Sequence, residues 1–199
     1  MAQQHRSTAV RKQQITDAAR KLIIKKGSEH VTVRNIAKEV KFSEAAIYRH
    51  FKSKRDILLL LVSQITDNLL QDIDNAESGT GNSLDRINAV LRSHLSTIEQ
   101  RRGISFLVLA EIISLGDKKL NKQLYDNLQK YVSRLKKLLA GGIADGQVRE
   151  DIDLDAASLL LFGMIQGLVN MWALSNYGFD LVNRYSALWE VYRGTVIKE

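Results

Sequence analysis

The chain has 199 residues, 45% hydrophobic and 26% charged, which is enough to bury a sizeable core without staples and excludes disordered or collagen-like classes. It contains no Cys, so disulfide frameworks, thiolate metal sites and cysteine nucleophiles are excluded, and a reducing cytoplasmic setting is expected. The formal charge of +7 is unevenly placed: residues 1–56 hold 14 Lys and Arg against 5 Asp and Glu, while the remainder holds 15 against 17. Clustered cations are rewarded by a polyanion that releases condensed counterions, which points to nucleic acid, with an anionic membrane surface as the competing reading. No apolar run follows the basic start Met1–Arg6, so no signal peptide is expected there.

With no Pro and 12 Gly, and no β-branched alternation between turn signals, the periodicity is helical. Ile15, Ala18, Ala19, Leu22 and Ile23 form the stripe of a first helix that Gly27 stops. Thr32 caps a short second helix with Ile36, Ala37 and Val40 inward. After Lys41 and Phe42, Ser43 caps a third with Ile47 and Phe51 inward. Ser53 and Asp56 make a capping box before a long fourth helix that runs to about Ile73. Residues 77–83 read as a loop. Leu84, Ile87, Leu91, Leu95 and Ile98 mark a fifth helix, and the apolar stretch from Phe106 to Leu115 marks a sixth. The seventh, from Leu120 to Leu138, has the strongest amphipathic pattern.

Asp153 or Asp155 caps an eighth helix, and residues 156–179 contain no charged side chain. A membrane span is weighed and set aside, because Ser158, Gln166, Asn170 and Asn176 interrupt the run, Gly163 and Gly167 lower its helix propensity, and no basic cluster orients it. The last helix carries Leu181, Tyr185, Leu188, Trp189 and Tyr192 on one side. Two such apolar helices exceed what one subunit needs, so those five residues are expected at a homodimer interface.

The second and third helices have the layout of a helix-turn-helix. The run from Val31 to Lys54, VTVRNIAKEVKFSEAAIYRHFKSK, and within it Ser43, Tyr48, His50, Phe51 and Lys54 at their spacing, closely resembles the signature of TetR-family regulators. The resemblance spans about residues 8–68; the segment Gly142–Asp153 is also similar to one the family often places before its eighth helix. Three positions depart from the pattern. Lys41 stands at the turn glycine, which puts a non-Gly residue near φ > 0; Val40 replaces a smaller residue; and Ala45 stands where many relatives have Gly.

The resemblance implies an all-α protein of about nine helices, with a three-helix DNA-binding domain over 8–68 (helix-turn-helix about 32–51) and a regulatory, ligand-binding and dimerisation bundle over 69–199. Thr32 and Val33 offer amides to a phosphate, and Arg34 reaches backbone or base. Ser43, Glu44, Ala45 and Ala46 lead into the major groove. Tyr48, His50 and Lys54 are directed at phosphates, and Arg49 and Lys41 add to the reading of sequence and shape. An effector cavity is expected near Phe106, Ala110, Phe162 and Trp172, with His94, Glu111, Gln123 and Gln166 as polar contacts and an apolar or amphipathic effector.

The four histidines are scattered, and no nucleophile, Walker or dinucleotide motif occurs, so neither catalysis, cofactor nor metal is expected. The reading is a dimeric, ligand-responsive repressor on a palindromic operator. The alternative is a DNA-bound adaptor of the same fold that works through a protein partner.

Overall fold

The computed structural model describes residues 8–27, 30–77, 81–101 and 103–198. Of the loop expected at 77–83, residues 78–80 lie outside the described residues. Among the described residues there are nine helices: α1 Thr8–Lys26, α2 Val33–Val40, α3 Glu44–Tyr48, α4 Lys54–Glu77, α5 Ser83–Gln100, α6 Ile104–Ser114, α7 Lys118–Ala144, α8 Leu154–Leu174 and α9 Leu181–Val196. The all-α expectation holds, and the caps explain the boundaries. Gly27 stands at φ 82 just past α1, Asn82 accepts from the Asp85 amide at the start of α5, and Asp153 Oδ1 accepts from the amides of Asp155 and Ala156 at the start of α8.

The chain divides into two compact units. The first takes residues up to Ile65 together with Leu107–Leu124, and the second takes Thr66–Phe106 with Tyr125 onward, so that α4, α6 and α7 each contribute to both. In the first unit Ile15, Ala19, Ile36 and Ile47, inward positions that the periodicity assigns, are fully buried, as are Ile57 and Leu61 on α4. Cations of α1 also lie over rings of the helix-turn-helix: the Arg11 guanidinium is 4.7 Å from the Phe42 centroid, and Lys12 Nζ is 5.7 Å from that of Phe51.

The second unit is built on one apolar cluster that runs through α5, α7, α8 and α9 and includes Leu91, Leu95, Leu135, Leu161, Val169 and Trp189. Leu181, Tyr185, Trp189 and Tyr192 belong to this core and are 0–3% exposed. That corrects the expectation that they face a second subunit: the stripe is spent inside the chain, and of the five residues named only Leu188 is half-buried. A helix stripe has the same period whether it meets its own chain or another, so periodicity alone does not separate the two.

α8 is long and apolar enough to cross a membrane by length and composition. Its burial follows a helical period, with Ala157, Ser158, Leu161, Ile165, Leu168, Val169 and Trp172 inward, as in a helix of a bundle. Its other face leaves Leu159, Leu160, Met171 and Leu174 between 57% and 79% exposed.

Where α7 ends, Gly141 and Gly142 let two segments approach. A Cβ on Gly141 would stand 3.0 Å from Ser83 Oγ, and one on Gly142 would stand 2.6 Å from Val148 Cγ2. Ser83, fully buried, donates to Asp145 and accepts from Arg86. Val148 pairs with Ile197 in an isolated antiparallel bridge that ties down the C-terminal segment. Gly142→Ala is therefore expected to destabilise the protein by about 1–2 kcal/mol in urea unfolding, because overpacking against Val148 outweighs the gain in helix propensity.

Candidate nucleic-acid interface and effector site

The residues expected to meet DNA all fall in the first unit, on α2, α3, the turn between them and the start of α4. Thr32 is the N-cap of α2, and its hydroxyl accepts from the Asn35 amide at 3.1 Å. Ser43 does the same for α3, accepting from Ala46 at 3.2 Å. Both caps hold their helix starts open to solvent: Thr32, Arg34, Ser43, Glu44 and Ala45 are exposed, while Val33 and Ala46 are half-buried.

The turn is a Schellman motif. The Phe42 amide donates to Ala37 O at 2.8 Å and the Lys41 amide to Lys38 O at 3.2 Å, with Lys41 at φ 57, ψ 44. The left-handed residue expected from the missing glycine is thus present. It holds an exposed cation at the tip of the motif at a conformational cost of about 1–2 kcal/mol. Ile47 and Phe51 anchor α3 inward; Tyr48, 53% exposed, and Arg49 are left outward, with His50 half-buried. The S-x-x-D pattern also forms, the Asp56 amide donating to Ser53 Oγ at 3.3 Å and the Lys52 amide to Asp56 Oδ2 at 3.0 Å, so Lys54 opens α4 at the same end of the unit.

The cations of α1 divide into solvated and engaged ones. Lys25 and Lys26 are exposed, but Lys21 pairs with Glu39 on α2 and draws its carboxyl below the ordinary range, while Arg11 and Lys12 cover Phe42 and Phe51. These contacts hold the reading helices to α1. Cation and ring at such separations carry no short sequence signature.

The expected effector residues are divided between the two units. Ala110, Glu111 and Gln123 lie in the first unit; His94, Phe106, Phe162, Gln166 and Trp172 lie in the second. Ala110 is exposed, so added bulk there would enter solvent rather than fill an interior. Trp172 is 2% exposed, stacked edge-on against Tyr177 at 4.7 Å.

His94 is the notable buried polar group, 4% exposed. Its Nδ1 is 3.2 Å from the Tyr131 hydroxyl, and its Nε2 is 3.1 Å from Asp72 Oδ2 without the alignment of a good hydrogen bond. The Tyr131 ring lies 6.0 Å from that of Phe162. Burial pushes the imidazole below its ordinary 6.5, and the Asp72 carboxylate partly offsets that shift. The neutral tautomer that satisfies both neighbours carries its proton on Nε2 and accepts from Tyr131. Tyr185, fully buried in the same core, has a hydroxyl without a partner.

Two predictions follow from this geometry. Lys41→Gly is expected to raise unfolding stability by about 1 kcal/mol and to flatten the salt dependence of DNA binding, read by urea titration and by anisotropy. For His94, a folded-state pKa below the unfolded value means that its contribution is complete above pH 6.5 and lost as pH falls through the folded value. His94→Gln should therefore flatten the pH dependence of stability in that acidic window, and Asp72→Asn should lower the His94 titration midpoint followed by NMR.

Residues 15–61 match the family described as bacterial regulatory proteins, tetR family, and residues 62–193 match the YsiA-like protein C-terminal region. The chain is 25% identical over 178 residues to the fatty acid metabolism regulator protein of Bacillus subtilis, covering 89% of this chain and 91% of that one. It is 26% identical over 197 residues to the nucleoid occlusion factor SlmA of Idiomarina loihiensis, covering 99% of each. Among solved structures, FadR from Bacillus subtilis in complex with stearoyl-CoA superposes with a TM-score of 0.80 at 26% identity, over 90% of this chain and 96% of that one. FadR from Bacillus halodurans gives 0.84 at 21%, over 92% and 94%, a likeness of fold.

Proposed function

Because the chain belongs to the tetR family of bacterial regulatory proteins, DNA-binding transcription regulators rather than enzymes, we propose that it is a cytoplasmic, dimeric repressor released from a palindromic operator by a long-chain acyl-CoA. The observation that carries the effector class is the YsiA-like match over 62–193, together with the likeness to a regulator solved with stearoyl-CoA. The apolar core of the second unit, with its few polar groups at His94, Tyr131 and Tyr185, is consistent with such a ligand.

In this reading α3 enters the major groove through Ser43, Glu44, Ala45 and Ala46, with Thr32, Val33, Tyr48, His50 and Lys54 on phosphates and Arg34, Lys41 and Arg49 contributing to selectivity. Two copies associate through the outer face of α8, where Leu160, Gly163, Gly167, Met171 and Leu174 follow three- and four-residue steps and a Cβ on either glycine would meet nothing within 4 Å. Close approach of a second helix covers this face. The domain assignment that goes with this is a reading unit over 8–68 and a regulatory unit beyond it. Switching requires that the ligand bind one bundle geometry better than the other, and a coupling of about 1–3 kcal/mol shifts operator affinity roughly 5–150-fold.

The second reading, a DNA-bound adaptor without a ligand switch, is favoured by the end-to-end likeness to the nucleoid occlusion factor. Anisotropy with a palindromic operator separates the two. Stearoyl-CoA is expected to lower affinity within that range, and an affinity indifferent to acyl-CoA would leave the adaptor standing. A dimer making about 6–10 phosphate contacts is expected to lose about 10³–10⁵ in affinity between roughly 50 and 200 mM salt. Leu160→Glu with Met171→Glu should yield folded monomers by sedimentation; a variant that remains dimeric would move the interface elsewhere.

A further inference from the structure

We propose that the first unit carries its own binding site for an anionic amphiphile, a groove between the start of α4 and the turn from α6 into α7. The groove is open to solvent and offers ≈ 340 Å³. Its floor is made of Leu58, Leu115 and Leu120, of which Leu58 and Leu120 are almost fully buried and Leu115 is 41% exposed. Its rim is Lys54, Arg55 and Asp117. An apolar floor with a polar rim of this size is the ordinary form of a small-molecule site.

The sign of the ligand follows from the rim. Asp117 is committed twice: its Oδ1 accepts from the amides of Lys119 and Leu120 at 3.0 and 3.1 Å, capping α7, and its Oδ2 accepts from Arg55. These bonds, first the Leu120 amide and then the guanidinium, hold its carboxyl below the ordinary range. The cap does not depend on Arg55, so the guanidinium can turn part of its fork to an incoming carboxylate while Asp117 keeps its place on α7. The lining sets Lys54 and Arg55 on α4 against that single carboxylate beside apolar surface, and the residues that follow it on α7, Lys118 and Lys119, are exposed cations. A single-chain alkyl carboxylate satisfies both features: the head group meets Arg55 and the chain covers Leu115 on its way to the buried leucines. A ligand of this kind sits on the first turn of α4, beside Lys54, so it is expected to compete with a DNA phosphate there. That consequence rests on the proposed function, but the binding itself does not.

The test uses the full-length protein, labelled with ¹⁵N, without DNA. Decanoate is titrated below its micelle concentration, with decanol and decyltrimethylammonium as neutral and cationic controls. Saturable amide shifts confined to residues 53–58 and 115–120, with decanoate bound at least about tenfold more tightly than either control, are expected. Leu115→Asp, at an exposed position, should weaken decanoate about tenfold at unchanged unfolding temperature, and Arg55→Gln should remove the preference for decanoate over decanol. Shifts centred in the second unit, equal binding of all three amphiphiles, or groove signals that follow protein concentration, as a seat for a second copy would give, would each overturn the proposal. A groove that binds decanoate in a protein indifferent to acyl-CoA would leave this site standing and remove the effector reading.

Discussion

A helix of 21 residues whose one charged side chain, Asp155, lies in its first turn has to cover both of its faces, and α8 imposes that requirement on everything around it. Its inner face organises the second unit, where Leu161, Ile165 and Trp172 join the stripe of α9. Burying each such side chain is worth about 1.5–3 kcal/mol, which is why the aromatic face of α9 turns inward rather than toward a partner. The outer face remains apolar, and two glycines on it remove side chains where they would hold another helix away. In the dimeric reading proposed above, one sequence feature supplies both the core of the subunit and the face a second copy would cover, and two copies would be needed to read half-sites about 34–36 Å apart.

The second unit is not wholly apolar, and its polar groups are concentrated rather than scattered. His94 links α5 to α7 through Tyr131 and to α4 through Asp72, so that a single imidazole spans three helices. Keeping it neutral costs less than burying a charge, and Asp72, half in solvent, stands 3.1 Å from its Nε2. Any ligand that enters this core has to satisfy or displace these contacts, and α4 is the helix whose first turns carry Lys54 and Arg55.

How much of this was legible in the sequence depends on what kind of interaction was involved. Caps were legible because they are local: Thr32, Ser43, Ser53 and Asp153 each bond within three residues of themselves. The left-handed Lys41 was legible because a family pattern places glycine there and the backbone leaves a side chain no alternative. The partner of a stripe was not, because Trp189 packed in its own subunit and Trp189 packed in another present the same spacing. Nor was the return of residues 107–124 to the first unit, which rests on Arg55 meeting Asp117, 62 positions away, and on Leu120 closing over the start of α4. The exposure of Ala110 was not legible for the same reason: on an apolar helix the sequence names no inward side.

The charge of the first segment shows how far composition carries the argument about DNA. Residues 1–56 hold an excess of cations that arithmetic assigns to a polyanion, yet the structure employs several of them internally. Lys21 is paired with Glu39, Arg20 with Asp17 and Arg55 with Asp117, while Arg11 and Lys12 lie over aromatic rings. Lys21, Arg11 and Lys12 hold α1 to the reading helices and Arg55 holds α7 to α4, while the Arg20 pair lies within α1; a phosphate has to compete with these contacts for the same cations. The remaining exposed cations around the helix-turn-helix, Arg34, Lys38, Lys41, Arg49 and Lys52, are a smaller set than the net charge suggests. The salt slope of binding counts phosphates neutralised at the interface and not charges in the sequence. It is therefore the quantity that separates the two uses of the same residues: cations that build the reading unit leave it unchanged when removed, and cations that touch DNA do not.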